Sequence, residues 1–204
     1  VALASSDEIK NLAKAHCGET DPIEFLADFI INIKQPSFDF IFHSPIQEIE
    51  GFYRKNGYGV FAKYGAFRWQ AGRGLIGVPH PDPVQLSSLK EYDYERGLVA
   101  ANTLDFIEGR GGGNLLLYGD RGTGKSSTVK ALANEYRAQG LRIIEVSKDA
   151  IPEFFEMQER LRVVPLRFIL FLDDLTFSED DEAFSALKTV LEGGVSARPE
   201  NCLV

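Results

Sequence analysis

The sequence predicts an α/β protein, a three-layer αβα core on a parallel sheet, preceded by a small α+β N-terminal region. Three observations carry this. From residue 115 onward, short apolar runs alternate with amphipathic stretches, the order that gives parallel strands joined by helical crossovers. Within that region Gly119-Asp120-Arg121-Gly122-Thr123-Gly124-Lys125-Ser126 fits G-x-x-x-x-G-K-[ST], between the apolar run Leu115–Tyr118 and a helical stretch from Ser126 to Gln139. Residues 167–174, Arg-Phe-Ile-Leu-Phe-Leu-Asp-Asp, read as a buried strand ending in two carboxylates.

The residue types in the glycine-rich loop suit one chemistry, the cradling of a phosphate chain. Glycines let the backbone curl so that N–H groups from about Gly122 to Ser126 point at an anion. Lys125 supplies a point charge for β- and γ-phosphates, and the Ser126 hydroxyl offers a ligand to Mg²⁺. Asp120, Arg121, Thr123 and Ser127 complete the candidate nucleotide-binding segment, with Arg121 expected to face solvent. In the acidic pair, Asp173 is placed to hold Mg²⁺ through water, and Asp174 to orient an attacking water. ATP and Mg²⁺ are the expected ligands. Right-handed crossovers bring the loop and the acid pair to one carboxyl edge of the sheet.

Before the loop, Ser6–His16 and a stretch opening at Asp21-Pro22 carry helical spacing. Tyr58 to Gln70 is rich in aromatic and β-type residues, with Asn56-Gly57 and Gly65 as turn signals, and predicts a β-hairpin or meander. Residues 52–73 mix Arg54, Lys55, Lys63, Arg68 and Arg73 with seven aromatic rings and no acid. That pattern suits either stacking on single-stranded nucleic acid or a small aromatic core with charges outside, and the second reading is preferred. Pro79, Pro81 and Pro83 form a stiff connector, which places a domain boundary at residue 83. A helix follows over about Asp93–Glu108, with Leu98, Ala101, Leu104 and Ile107 at spacings of three. Beyond the loop come a strand at Leu141–Val146, a helix over about Asp149–Arg162, the strand ending in Asp173 and Asp174, and a helix at Asp180–Glu192.

The 204 residues are 44% hydrophobic and 25% charged, the balance of a globular protein, and the net charge of −8 argues against nonspecific coating of nucleic acid. No apolar run is long enough to span a bilayer, and no signal peptide is visible. Cys17 and Cys202 lack paired spacing and fit reduced thiols, hence a cytoplasmic expectation. His16 beside Cys17 is the sole hint of another metal site. The chain opens on Val1 and closes on Asn201-Cys202-Leu203-Val204, the start of a further strand, as a fragment of a longer protein would.

Over Leu115–Ser127 the sequence resembles the AAA+ class of P-loop ATPases, and more narrowly a bacterial family of predicted AAA+ ATPases known as a domain of unknown function. The likeness extends to Phe67-Arg68-Trp69, His80-Pro81-Asp82-Pro83, Asn102-Thr103, Gly140-Leu141-Arg142, Asp173-Asp174-Leu175-Thr176-Phe177, Leu187-Lys188 and Leu191-Glu192-Gly193-Gly194. It implies ATP and ADP as partners, ATP hydrolysis by the full-length protein, and assembly into homo-oligomeric rings. It also implies that the core over 84–204 stops before the sensor residue, arginine finger and lid, so that this chain binds nucleotide better than it turns it over. Most AAA+ proteins end the acidic strand in Asp-Glu, and Asp174 is one methylene shorter. By analogy, Leu86, Leu89 and Tyr92 would line an adenine pocket. Two other readings remain open: a P-loop kinase for a small metabolite, and a nucleotide-switched nucleic-acid-binding or adaptor module using residues 52–73.

Overall fold

The computed structural model describes residues 46–175, 182–192 and 199–204. The two helical stretches expected before residue 36 and the His16/Cys17 pair lie outside them. Backbone contacts divide the chain into units 1–46 and 47–204, and the sheet with its covering helices belongs to the second.

The elements run in this order: α1 (Ile46–Asn56), α2 (Val60–Lys63), β1 (Ala66–Gln70), β2 (Gly74–Gly77), α3 (Asp93–Ile107), α4 (Lys125–Glu135), β3 (Leu141–Val146), α5 (Phe154–Arg162), β4 (Arg167–Phe171), α6 (Glu182–Glu192) and β5 (Cys202–Leu203). Short 3₁₀ turns lie at Leu86–Ser88, Arg137–Gln139 and Lys148–Glu153. The five strands form one sheet in the order β2-β1-β3-β4-β5. Among the described residues only the β1–β2 hairpin is antiparallel; β1, β3, β4 and β5 pair in parallel. The α/β architecture expected from the strand–helix alternation is what the chain forms.

Alternation along the strands sorts side chains to two faces. On one, Phe67, Trp69, Ile144, Phe168 and Leu170 pack with Phe154, Met157 and Leu161 of α5. On the other, Ile143, Ile169 and Leu203 pack with Phe106 of α3 and Val129 and Ala133 of α4. Helices therefore cover both faces, as a sheet of parallel strands requires. The aromatic stretch feeds this core: Phe61 lies 5.3 Å from Phe67 and 5.4 Å from Phe168 between ring centroids.

Several boundaries differ from the sequence reading. Residues 60–63 are helical, and the hairpin sits later, at 66–77, turned by the left-handed Gly72. Since β1 pairs with β3, the expected boundary at residue 83 falls inside one unit. Pro152 lacks the N–H a helix interior needs, and the stretch expected as one helix splits into the 3₁₀ turn and α5. Residues 111–118 are not strand; Leu115 N–H donates to the Val204 carbonyl at 2.9 Å, while Leu116 and Tyr118 are 83% and 86% exposed. On α3 the buried residues are Thr103 and Phe106, whereas Leu98 and Ala101 of the expected apolar face are exposed.

The hairpin is tied to the layer above by Glu153, which accepts from Trp69 Nε1 and from the Gly72 N–H, each at 2.7 Å. The Trp69 bond, then the Gly72 bond, hold this carboxyl below its ordinary range; desolvation opposes them and Arg160 assists. A carboxyl lowered on folding contributes stability above its unfolded value and loses it as pH falls through the folded one. The thermal midpoint should thus fall more steeply on acidification from about pH 5 to about pH 3 in the parent than in Glu153→Gln. Calorimetric scans at each pH check this, and parallel profiles would refute it.

Candidate functional site

The glycine-rich loop follows the non-strand segment 111–118 and runs directly into α4. Its approach is fixed by Asn102 of α3, whose side-chain amide donates to the Gly113 carbonyl at 3.0 Å and accepts from the Gly113 N–H at 2.9 Å. Gly112 has φ 112°, and a Cβ there would stand 2.7 Å from Phe106 Cβ, so only glycine suits the approach. Gly119, Gly122 and Gly124 all have positive φ, which curls the loop into the start of α4.

Gly124 occupies the N-cap of α4 in the left-handed conformation, with no side chain to cap it. The first amides of a helix have no intrahelical acceptors, and here no capping side chain occupies them. Such an uncapped start favours an anion through its N–H groups and the helix dipole. Lys125 folds back over the loop. Its Nζ donates to the carbonyls of Gly119 at 2.9 Å and Asp120 at 2.6 Å, with Thr123 Oγ1 at 3.3 Å. The Thr123 hydroxyl in turn donates to the Asp120 carbonyl at 2.9 Å. Asp120 and Arg121 are exposed, and Ser127 is half-buried on the first turn of α4.

The two halves of the candidate site meet at one bond: Ser126 Oγ donates to Asp173 Oδ1 at 2.8 Å across 47 residues of sequence. Asp173 follows β4 at the carboxyl edge of the sheet, and the same oxygen accepts from the Asp174 N–H at 3.1 Å. Asp174 has φ 51°, a left-handed conformation that Asp adopts more readily than most side chains. Both carboxylates are exposed. Among the described residues no group of three or more His, Cys, Asp or Glu side chains could hold a metal. Ser126 and Asp173 nevertheless suit Mg²⁺, which takes one or two protein oxygens and completes its shell with water and phosphate.

Other expected contributors stand apart from this cluster. Leu86 and Leu89 are half-buried around a 3₁₀ turn that packs on α4, and Tyr92 is 48% exposed. In the aromatic stretch, Phe67 and Trp69 are each 1% exposed, Arg54 pairs with Glu50, and Arg68 pairs with Glu145. Those buried rings are unavailable for stacking on bases, in keeping with the preferred structural reading. One buried polar group escaped the sequence reading: Arg142, within β3. Its donors reach the carbonyls of Asn56, Phe61, Arg137 and Leu141 at 2.8–3.0 Å. Burial, then Arg137, lower its pKa to about 10, so it stays a cation at neutral pH. Its place amid apolar strand residues was the available signal.

These features define an α/β protein with a glycine-rich loop and an acid pair brought together at one edge of a mostly parallel sheet. Residues 62–204 match the family described as protein of unknown function (DUF815), and the chain belongs to that family. No curated protein and no solved structure matches the chain. Among the described residues, no helix is long and apolar enough to cross a membrane.

Proposed function

We propose that this chain is the Mg²⁺-dependent ATP-binding core of an AAA+-type ATPase. The observation that carries the reading is the 2.8 Å bond from Ser126 to Asp173, which joins the phosphate-loop hydroxyl to the first acid of the neighbouring strand. In this reading the amides at the start of α4 bind the phosphates. Lys125 exchanges its bonds to the Gly119 and Asp120 carbonyls for β- and γ-phosphate oxygens, so the loop is already shaped around a cation that seeks oxygen acceptors. Ser126 and Asp173 hold Mg²⁺, which supplies charge neutralisation on the phosphates. Asp174, beside Asp173, orients the attacking water and accepts its proton.

Titration calorimetry with ATP tests the reading. Saturable binding with Mg²⁺ should weaken markedly when EDTA replaces the metal. In Asp173→Asn that metal dependence should shrink at least severalfold while metal-free binding changes little. Absence of ATP binding by a chain that circular dichroism shows to be folded would sink the proposal.

A further inference from the structure

A cavity of about 180 Å³ lies beside the candidate site, between α4 and the face formed by β1 and β3. Ala66, Ile143 and Phe171 make its floor, and the segment 78–82 contributes its outer wall. That wall is fastened to α4, because Asn134 Nδ2 donates to the carbonyls of Asp82 and Val84, both at 2.8 Å. Ser126, Lys130 and Asn134 follow one another at four-residue steps, one line along α4. The first meets Asp173 and the third holds the wall; Lys130, between them, lines the cavity.

Two cations line this space, Arg68 and Lys130. Arg68 uses Nε and Nη2 on Glu145 Oε2, at 3.3 and 3.2 Å, which leaves other guanidinium donors unspent. The side-chain amine of half-buried Lys130 makes no hydrogen bond or ion pair among the described residues. The lining acids are already engaged: Glu145 by Arg68, and Asp82 by the Val84 N–H at 3.2 Å. Glu145 is matched by Arg68 and Asp82 lies exposed on the outer wall, so Lys130 can pair with one negative charge, and a dianion would bring a second charge with no cation left for it. An apolar cavity of about 150 Å³ accepts benzene, so one ring or a short chain fits the floor.

We infer that this cavity binds a small monocarboxylate with an apolar body, its carboxylate on Lys130 and the free Arg68 donors and its body over Ile143 and Phe171. The site is independent of the nucleotide reading, and its test is run without nucleotide. Benzoate and hexanoate are titrated into the chain and followed by amide chemical shifts, with benzamide and inorganic phosphate as controls. At least one carboxylate should saturate, shifting the amides of Lys130, Glu145 and Phe171, with both controls at least tenfold weaker. Lys130→Gln, which replaces a half-buried helix residue with a similar stem, should weaken carboxylate binding at least tenfold. Folding of the variant is checked by circular dichroism, and Arg68→Gln provides a second arm with the same expectation. Saturation by neither carboxylate, equal binding of benzamide, tighter binding of phosphate, or unchanged affinity in both variants would overturn the inference.

Discussion

Lys125→Ala is expected to weaken Mg-ATP binding by about 1.5–3 kcal/mol, roughly 10- to 150-fold in Kd, the span of charge-assisted hydrogen bonds. The loss is a difference, because Lys125 already satisfies two loop carbonyls and leaves them when it turns to phosphate. Those carbonyls return to water in the variant, since the contacts lie at the exposed rim of the loop. Stability should therefore change little, with a midpoint shift within about 2 °C. Calorimetric titration beside a thermal scan separates the two effects. Undiminished binding would remove Lys125 from the phosphate site, and a collapsed midpoint would recast it as a structural residue.

Arg142→Met should act on stability instead, lowering it by about 3 kcal/mol. Arg142 is 2% exposed, with carbonyls and no carboxylate among its hydrogen-bond partners. Removing the guanidinium strands the carbonyls of Asn56, Phe61 and Arg137, each at a cost of about 1–3 kcal/mol if unsolvated. Relief of the buried charge offsets part of that, which keeps the net loss well below the sum. At 2–4 °C per kcal/mol for a domain of this size, the midpoint should drop by roughly 6–12 °C. Arg142→Lys should recover part of the loss, because an ammonium has three donors but not the planar fork that spans these acceptors. A midpoint within about 2 °C of the parent would show that water or shifted backbone replaces the guanidinium.

How much of the fold was legible in the sequence depended on where each signal resides. Leu141–Val146 was legible because four of its six residues are large and apolar, Leu141, Ile143, Ile144 and Val146, and the loop because its glycines and lysine stand at fixed spacing. That the loop and the acid pair share one edge of the sheet could be anticipated from their motifs and the parallel strand order, whereas the bond from Ser126 to Asp173 could not. The start of the hairpin was not legible: aromatic composition marks proximity to a core, and Phe61 packs against this one from helix α2 while Phe67 enters it from β1. Leu115–Tyr118 read as a strand because it is apolar, yet pairing needs a ladder, and among the described residues the backbone bond made there is the one from Leu115 to Val204. On α3, a spacing of three fits either side of a helix, and packing chose Thr103 and Phe106. An arginine amid apolar strand residues marks Arg142 as unusual, but its acceptors lie up to 86 residues away, and no local pattern names them.

Trp69 is the chain's one tryptophan, 1% exposed and bonded through its indole N–H to Glu153. It lies on the α5 face of the sheet, with the line of α4 that carries Ser126 on the opposite side. The molecule thus carries its own optical gauge of integrity. Its ultraviolet emission should be that of an indole sealed from water and should redden when the hairpin parts from α5. Because that indole sits across the sheet from the phosphate loop, loss of folding can be read in emission separately from occupancy of the loop.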